Sequence, residues 1–238
     1  MGRLYMWTEE EQLEVKKVLI TPQGMSLLKE RFQELFGLGY EISFTNGIVS
    51  ERDRLAELLR DKDACIIGSE KIENTLLEEC KRLKIISRFG TGYDSICTDS
   101  LKKHGITLAI TAKHSTDSVA RHSLSLLLSL TNNLLRQNYS AYLGIWDRTL
   151  NLSADKTVVG LIGMGAIGQK FASYLLMLGF RVKYFSRSRN PEIEEKGVEY
   201  ASTIERLIEL SDIISIHLKL TKETENIINR DVALQKTQ

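Results

Sequence analysis

The sequence predicts an α/β protein made of two successive lobes, each a parallel sheet covered by helices on both faces. Three observations predict this class: short apolar strand patterns alternate with helical patterns, a glycine-rich turn joins one strand directly to a helix, and a long apolar helix separates two series of strands. Alternation of this kind is typical of β-α-β units, whose strands are buried on both faces.

The first series contains strand patterns that are short, mostly continuous apolar runs, as expected for buried parallel strands. The helical patterns between them have apolar residues spaced three and four apart. We predict strands at residues 17–21, 40–44, 64–67, 85–88 and 107–110, and helices at residues 25–36, 51–59 and 74–82.

A long helix is predicted at residues 117–135, because Val119, Leu124, Leu128 and Leu135 recur at helical spacing. A polar stretch at residues 136–154 follows it. The second series then begins, and we predict its strands at residues 158–162, 181–185 and 213–217, with helices between them.

Composition excludes several classes of partner. Lys and Arg number 32 against 31 Asp and Glu, so nothing indicates binding to nucleic acid or to a membrane surface. The apolar run at residues 123–130 is too short and too rich in Ser to span a bilayer, and the polar N-terminus lacks a signal peptide. Cys65, Cys80 and Cys97 lack C-x-x-C spacing, so we expect small core residues in a reducing, cytoplasmic compartment, without a disulfide or metal site.

The most informative segment is residues 158–168, where a β-branched strand runs into a G-x-G-x-x-G turn and a helix. In a dinucleotide site of this kind the first glycine, Gly163, allows the sharp turn. The second, Gly165, lets the backbone approach a pyrophosphate, and the third, Gly168, lets the helix pack closely on the strand.

The start of this helix supplies the binding groups. The amides of Ala166 and Ile167 and the helix dipole provide positive potential for phosphates. The pattern therefore predicts a dinucleotide-binding site. The alternative is a glycine-rich turn in another α/β protein, such as a methyltransferase.

Other motifs strengthen this interpretation through their order along the chain. They are residues 83–94 with their glycine loop, residues 119–122 at the start of the long helix, Gly144-x-Trp146, and residues 211–224. With the glycine turn, they make the chain from about residue 17 onward similar to the D-isomer-specific 2-hydroxyacid dehydrogenases, the family of phosphoglycerate dehydrogenase and hydroxypyruvate reductase.

The resemblance implies a flavodoxin-like substrate lobe at residues 1–117, followed by a Rossmann doubly wound NAD(P)-binding lobe at residues 118–238. It implies hydride transfer between the nicotinamide and C2 of a small 2-hydroxy or 2-oxo acid, in a cleft between the lobes. It also implies a homodimer or heterodimer formed through the coenzyme lobe, with residues 136–148 as the arm.

The resemblance also assigns roles to particular residues. The backbone of Gly90, Thr91 and Gly92 takes the substrate carboxylate, because only a glycine-rich loop lets an anion approach so closely. A plain tight turn is the alternative. The loop that leaves the third strand of the coenzyme lobe lines the coenzyme site with three residues, His217, Leu218 and Thr224.

Coenzyme preference is predicted from the end of the strand at residues 181–185. An NAD site would place Asp or Glu at Ser186, where a carboxylate accepts both ribose hydroxyls and repels a 2′-phosphate. The sequence is instead Ser186-Arg187-Ser188-Arg189, which suits a 2′-phosphate through charge-assisted hydrogen bonds. NADP is therefore favoured over NAD. The alternative is a solvated basic loop that binds nothing.

The family's catalytic Arg, Glu and His all lie beyond the position of Gln238, so we expect no catalytic residue in this chain and an incomplete coenzyme lobe. His114 is the one conceivable substitute, and no carboxylate is evidently placed to orient it. Two functions follow. The chain is either part of an NAD(P)-dependent 2-hydroxyacid oxidoreductase, or a non-catalytic nucleotide-binding pseudoenzyme that pairs with a full-length relative.

Overall fold

The computed structural model describes residues 14–36, 39–45, 47–111 and 115–229. The chain divides into two compact units, Met1–Lys113 and His114–Gln238. Each unit contains its own parallel sheet, which confirms the α/β class expected from the alternating pattern.

The first unit has a five-stranded parallel sheet in the order β2-β1-β3-β4-β5, which is the flavodoxin-like order. Its strands are β1 (Lys16–Ile20), β2 (Tyr40–Phe44), β3 (Ala64–Ile67), β4 (Ile85–Arg88) and β5 (Thr107–Ile110). Its helices are α1 (Lys29–Phe36), α2 (Arg52–Leu59), α3 (Asn74–Leu77) and α4 (Thr98–Lys103), with a 3₁₀ turn at Met25–Leu28. The register is set by pairs such as Leu19 with Ser43 on one side and with Cys65 on the other.

The core of this unit forms where the strands meet the helices. Leu19, Ile67 and Ile86 from the sheet are buried with Leu55 and Leu59 from α2. Burying side chains of this size stabilises the fold by about 1.5–3 kcal/mol each before the entropy cost of ordering them. The apolar segments that the sequence predicts as buried strands therefore contribute the sheet residues of this core.

The second unit has a four-stranded parallel sheet in the order β8-β7-β6-β9. Numbered within its own sheet this is 3-2-1-4, the order in which a Rossmann fold begins. Its strands are β6 (Val158–Ile162), β7 (Arg181–Phe185), β8 (Glu199–Tyr200) and β9 (Ile213–Ile216). Its helices are α5 (Ser115–Thr131), α6 (Leu134–Tyr142), α7 (Ala166–Met177), α8 (Pro191–Glu194) and α9 (Ile204–Glu209), with a 3₁₀ turn at Ala154–Lys156.

The single long helix predicted at residues 117–135 is wrong, because the structure has two helices, α5 and α6, separated by Asn132 and Asn133. Asn133 adopts the left-handed conformation with φ of 50°. The side-chain amide of Asn132 donates to the carbonyl of Leu128, and the side-chain amide of Asn133 donates to the carbonyl of Leu150. Asn side chains compete for backbone groups and tolerate this conformation, so they end the helix.

The helix predicted at residues 74–82 is also shorter than expected, since α3 ends at Leu77. Beyond it the chain winds more tightly, with the amide of Cys80 bonded to the carbonyl of Leu77 and that of Leu83 to Cys80. These three residues are all buried. Each of these hydrogen bonds spans three residues, as in a 3₁₀ turn, so the segment continues as successive turns and not as a regular α-helix.

The expectation that all three cysteines are core residues is wrong for one of them. Cys65 and Cys80 are buried free thiols, whereas Cys97 is an exposed free thiol at the start of α4. The hydroxyl of Ser100 donates to its sulfur at 3.0 Å. That hydrogen bond is the main cause that lowers the Cys97 pKa. In the described part of the chain, no helix is both long enough and apolar enough to cross a membrane.

Candidate functional site

The glycine turn lies where the sheet of the second unit reverses its strand order, between β6 and β9. Gly163 follows β6 directly with φ of +101°, a conformation that residues with a side chain rarely adopt. A Cβ at Gly163 would lie 2.6 Å from the carbonyl oxygen of His217, which follows β9. Only glycine fits between the ends of these two strands, and such a switch point is where open α/β sheets bind ligands.

The other two glycines of the turn have opposite surroundings. A Cβ at Gly168 would lie 2.3 Å from the carbonyl oxygen of Gly163, so the helix can pack this close only without a side chain there. A Cβ at Gly165 would meet nothing within 4 Å. Gly165 therefore leaves open space against bare backbone, and this is the space that a ligand could enter.

The start of α7 faces this space with unpaired donors. Gly165 is the N-cap and offers no side-chain acceptor, and the first helical hydrogen bond joins the Gln169 amide to the Gly165 carbonyl at 2.9 Å. The amides of Ala166 and Ile167 precede that bond and have no acceptor inside the helix. The Gln169 side chain donates to the Met164 carbonyl at 3.0 Å and fixes the turn. The arrangement fits an anionic group such as a phosphate.

A cavity of about 810 Å³ opens at this turn, entirely within the second unit. The predicted residues that line it are Gly163, Gly165, Ser186, Arg187, Ser188, His217, Leu218 and Thr224. Ala166, Ile167 and Gly168 do not line it, so any part they take is through backbone amides or helix packing. The walls also include Met164, Phe185, Ile204 and Ile227. The sequence did not single them out because isolated apolar side chains resemble ordinary core residues.

His217 packs next to the glycine turn and is held there by several contacts. Its amide donates to the Ile162 carbonyl at 2.8 Å, and its ring packs edge-on against Phe171 with centroids 5.4 Å apart. Its Nε2 lies 3.0 Å from the hydroxyl of Ser215. Burial lowers the pKa of His217, so the ring is neutral near pH 7. His217 therefore both lines the cavity and is held in place by its contacts with β6, α7 and β9.

The loop after β9 closes on itself through threonines. The Thr224 hydroxyl donates to the Lys219 carbonyl at 2.7 Å and accepts from the Thr221 amide at 2.8 Å. Thr224 was predicted to line the coenzyme site, and its hydroxyl is engaged in shaping the loop. Leu218 lies against the turn, with its Cδ2 only 3.0 Å from where a Cβ of Gly163 would be.

The two arginines of the loop after β7, Arg187 and Arg189, differ in their contacts. Arg189 forms an ion pair with Glu194, and its guanidinium lies 5.2 Å from the centre of the Tyr200 ring. Arg187 is exposed, and it forms no ion pair with any residue in the described part of the chain. A hydrogen bond from Thr221 is the main cause that lowers the Glu223 pKa, and the charge of Arg187 contributes. Sequence spacing alone could not separate these arginines.

The predicted substrate loop lies in the first unit, after β4. Gly90 has φ of +144°, and its amide donates to the Thr111 hydroxyl at 2.8 Å. The Gly90 amide is therefore already bonded. Among the described residues, the amides of Thr91 and Gly92 have no acceptor, which leaves these two for an anion. His114 lies outside the described residues. No three His, Cys, Asp or Glu side chains in the described ranges come together to hold a metal ion.

Two parallel α/β units, one with a dinucleotide-type glycine turn at its switch point, define the class of this protein. Residues 124–237 match the D-isomer specific 2-hydroxyacid dehydrogenase, NAD binding domain. The chain is 33% identical over 197 residues to a glyoxylate reductase of Thermococcus litoralis, covering 78% of this chain and 59% of that protein. It is 30% identical over 236 residues to a glyoxylate reductase of Thermococcus gammatolerans, covering 92% of this chain and 68% of that protein.

The same family is found among solved structures. D-lactate dehydrogenase from Aquifex aeolicus, complexed with NAD and lactic acid, superposes with a TM-score of 0.76 at 28% identity, covering 90% of this chain and 64% of that one. The chain belongs to the D-isomer specific 2-hydroxyacid dehydrogenase family, which confirms the resemblance drawn from its motifs. It spans 59–68% of the length of the two curated relatives named above.

Proposed function

We propose that this chain is part of an NAD(P)-dependent oxidoreductase that transfers hydride between the nicotinamide and C2 of a small 2-hydroxy or 2-oxo acid. In this proposal the first unit is the substrate lobe and the second is the coenzyme lobe. The observation that carries it is the open space at Gly165, which faces the donors at the start of α7 at the mouth of the 810 Å³ cavity. The family membership and the relatives named as glyoxylate reductases support the same reaction class.

The residues present fit a dinucleotide. The amides of Ala166 and Ile167 would hold the pyrophosphate, and the bare backbone at Gly165 would let it approach. The apolar walls formed by Met164 and Ile204 would exclude water from the rest of the coenzyme. When bound, the nicotinamide supplies or accepts the hydride.

We further propose that the cavity prefers NADPH. The residue that directly follows β7 is Ser186, so no carboxylate occupies the position that would repel a 2′-phosphate. Arg187 next to it is exposed and lines the cavity. An arginine fork favours a phosphate through charge-assisted hydrogen bonds, and Ser188, which carries a second hydroxyl, lines the same cavity.

Replacing Ser186 by Asp should reverse this preference. The new carboxylate would repel the 2′-phosphate of NADPH and accept the ribose hydroxyls of NADH. The expected change in the ratio of the two dissociation constants is roughly 100-fold, as for loss and gain of one charge-assisted hydrogen bond each. Titration calorimetry with each coenzyme, on the wild-type chain and on Ser186→Asp, measures it.

A matched control makes the same charge change away from the cavity. Ser125 is an exposed serine on α5 that does not line the cavity, so Ser125→Asp should keep the wild-type ratio. If Ser186→Asp still bound NADPH more tightly than NADH, the proposed preference would be wrong.

In the first unit we propose that the amides of Thr91 and Gly92 bind the substrate carboxylate. Proton transfer to the substrate would depend on the Arg, Glu and His that the family places beyond Gln238. The alternative function, nucleotide binding without turnover, shares the coenzyme site. Coenzyme oxidation in the presence of a 2-oxo acid, measured on the protein purified from its native source, separates the two. The oxidoreductase predicts turnover, and the alternative predicts intact coenzyme binding without turnover.

We also propose that the chain dimerises through its second unit. The arm at residues 136–148 carries exposed apolar side chains, namely Tyr139, Tyr142, Ile145 and Trp146, and the exposed Leu135 and Leu150 flank it. Exposed apolar patches of this kind mark association surfaces.

A cytoplasmic location remains our expectation, because the three cysteines are free thiols.

Trp146 has 84% of its surface exposed, so it should contribute strongly to such an interface. Trp146→Asp is expected to weaken dimerisation by roughly 30-fold or more, the effect of a residue worth about 2 kcal/mol. Light scattering coupled to gel filtration over a concentration series tests it. Leu27→Asp, at an exposed leucine of the first unit, is the control and should remain dimeric. A wild-type chain that is monomeric throughout would contradict the homodimer.

A further inference from the structure

Tyr184, in β7, combines a buried ring with a hydroxyl that is bonded in both directions. Its side chain is 0% exposed, and its ring packs edge-on against Tyr200 with centroids 5.3 Å apart. The hydroxyl accepts the amide of Asn190 at 2.7 Å and donates to Oε1 of Glu194 at 2.7 Å. A buried hydroxyl is stable only with such partners, so it ties β7 to the loop that follows it.

The contact with Glu194 continues to Arg189. The Nε of Arg189 donates to Oε1 of Glu194 at 3.2 Å, and its second guanidinium nitrogen donates to Oε2. The guanidinium also lies over the Tyr200 ring. Arg189 is therefore paired in charge and held against the protein by the same network that contains the Tyr184 hydroxyl.

The contact with Asn190 fixes the end of the loop. The Asn190 side chain accepts the amide of Ile193 at 3.3 Å and so caps α8. The start of the loop is fixed as well, because the Phe185 carbonyl accepts the Gly163 amide at 2.8 Å. Only residues 186–189 lie between these fixed points, and so short a segment with both ends held has few conformations.

Burial and the bond to Glu194 raise the pKa of Tyr184, so the phenol remains a neutral donor near pH 7. Within the loop, the Ser186 hydroxyl donates to the Ser188 carbonyl. Arg187 is left as the arginine of the loop that has no ion pair within the described ranges.

From this network we infer that Tyr184 is a positioning residue for coenzyme selection: its hydroxyl holds the loop so that Arg187, and not Arg189, is the cationic ligand of the coenzyme's 2′-phosphate. The inference rests on the proposed NADPH function of the same cavity. Tyr184 itself is buried beneath the loop and acts only through Asn190 and Glu194.

The test is the ratio of NADPH to NADH affinity in Tyr184→Phe, measured by titration calorimetry. Phe keeps the buried ring and removes both hydrogen bonds, so NADPH should bind roughly tenfold more weakly, as for loss of positioning worth about one hydrogen bond. The affinity for NADH, which lacks the 2′-phosphate, should change by less than about twofold. Tyr200→Phe is the matched control, because it keeps the ring contacts and should keep the wild-type ratio.

A second pair of variants tests the choice of arginine. Arg187→Gln should lower NADPH affinity roughly tenfold, the loss of one charge-assisted contact. Arg189→Gln keeps an amide able to bond Glu194 and should change NADPH affinity by less than about threefold. A larger loss in Arg189→Gln than in Arg187→Gln would overturn the inference.

Hydrogen exchange of the wild-type chain keeps the inference testable if Tyr184→Phe fails to fold. The Asn190 amide should exchange much more slowly than the Ser188 amide, and equal rates would show that the Tyr184 bond does not hold the loop. An unchanged coenzyme ratio in folded Tyr184→Phe would overturn the inference alone. A wild-type chain that binds neither coenzyme would overturn the proposed function and this inference with it.

Discussion

Gly165→Ala is expected to keep the fold and to lose most of the coenzyme affinity. A Cβ at this position meets nothing within 4 Å, and the backbone has φ of −76°, which alanine adopts without strain. The methyl group would instead occupy the space that we assign to the pyrophosphate. Losing one charge-assisted hydrogen bond between phosphate and amide costs about 1.5–3 kcal/mol, which is roughly 10- to 100-fold in affinity.

Calorimetric titration with NADPH and thermal unfolding of the free chain together check this result. The melting temperature of Gly165→Ala should stay close to that of the wild type, because the lower entropy of the unfolded chain offsets the poorer preference of alanine for the N-cap of α7. Unchanged NADPH affinity in this variant would mean that no ligand approaches the turn at Gly165.

Gly168→Ala is expected to destabilise the second unit as well as to abolish coenzyme binding. Its Cβ would lie 2.3 Å from the carbonyl oxygen of Gly163, which belongs to the backbone and can move only with the turn. Overpacking of this kind costs about 1–3 kcal/mol. The better helix propensity of alanine offsets at most about 1 kcal/mol of that.

Urea unfolding of Gly168→Ala should show a lower midpoint at an unchanged slope. Gly165→Ala is its internal control, since the same chemical change three residues earlier should remove binding and lower the midpoint much less. Equal stability of Gly168→Ala and the wild type would contradict the close packing of α7 on the turn.

The strands and the glycine turn could be predicted from the sequence because each has a local cause. Apolar runs such as the one in β6 can be buried only between helices, and the roles of Gly163 and Gly168 follow from spacing alone. The positions of α5 and α6 could not be predicted so well. Their break depends on Asn133 bonding to the carbonyl of Leu150, a contact between residues 17 positions apart.

The candidate site also combines features that have a local cause with features that depend on tertiary contacts. Its position at the end of β6 was predictable, as was the lack of a carboxylate at Ser186. The pairing of Arg189 with Glu194 was not, because it involves the buried hydroxyl of Tyr184, which lies ten positions before Glu194 in the sequence. Similarly, the hydrogen bond from the Gly90 amide to the Thr111 hydroxyl joins two strand ends that are distant in sequence. Local pattern predicts where a site lies, and tertiary contacts decide which of its groups remain available.

The most direct test of the account is a crystal structure of this chain with NADPH. We expect the pyrophosphate on the amides of Ala166 and Ile167 and the 2′-phosphate within hydrogen-bond distance of the Arg187 guanidinium, with Arg189 still paired to Glu194. A coenzyme bound away from the turn at Gly163 and Gly165, or a 2′-phosphate that contacts neither Ser186 nor Arg187, would contradict it.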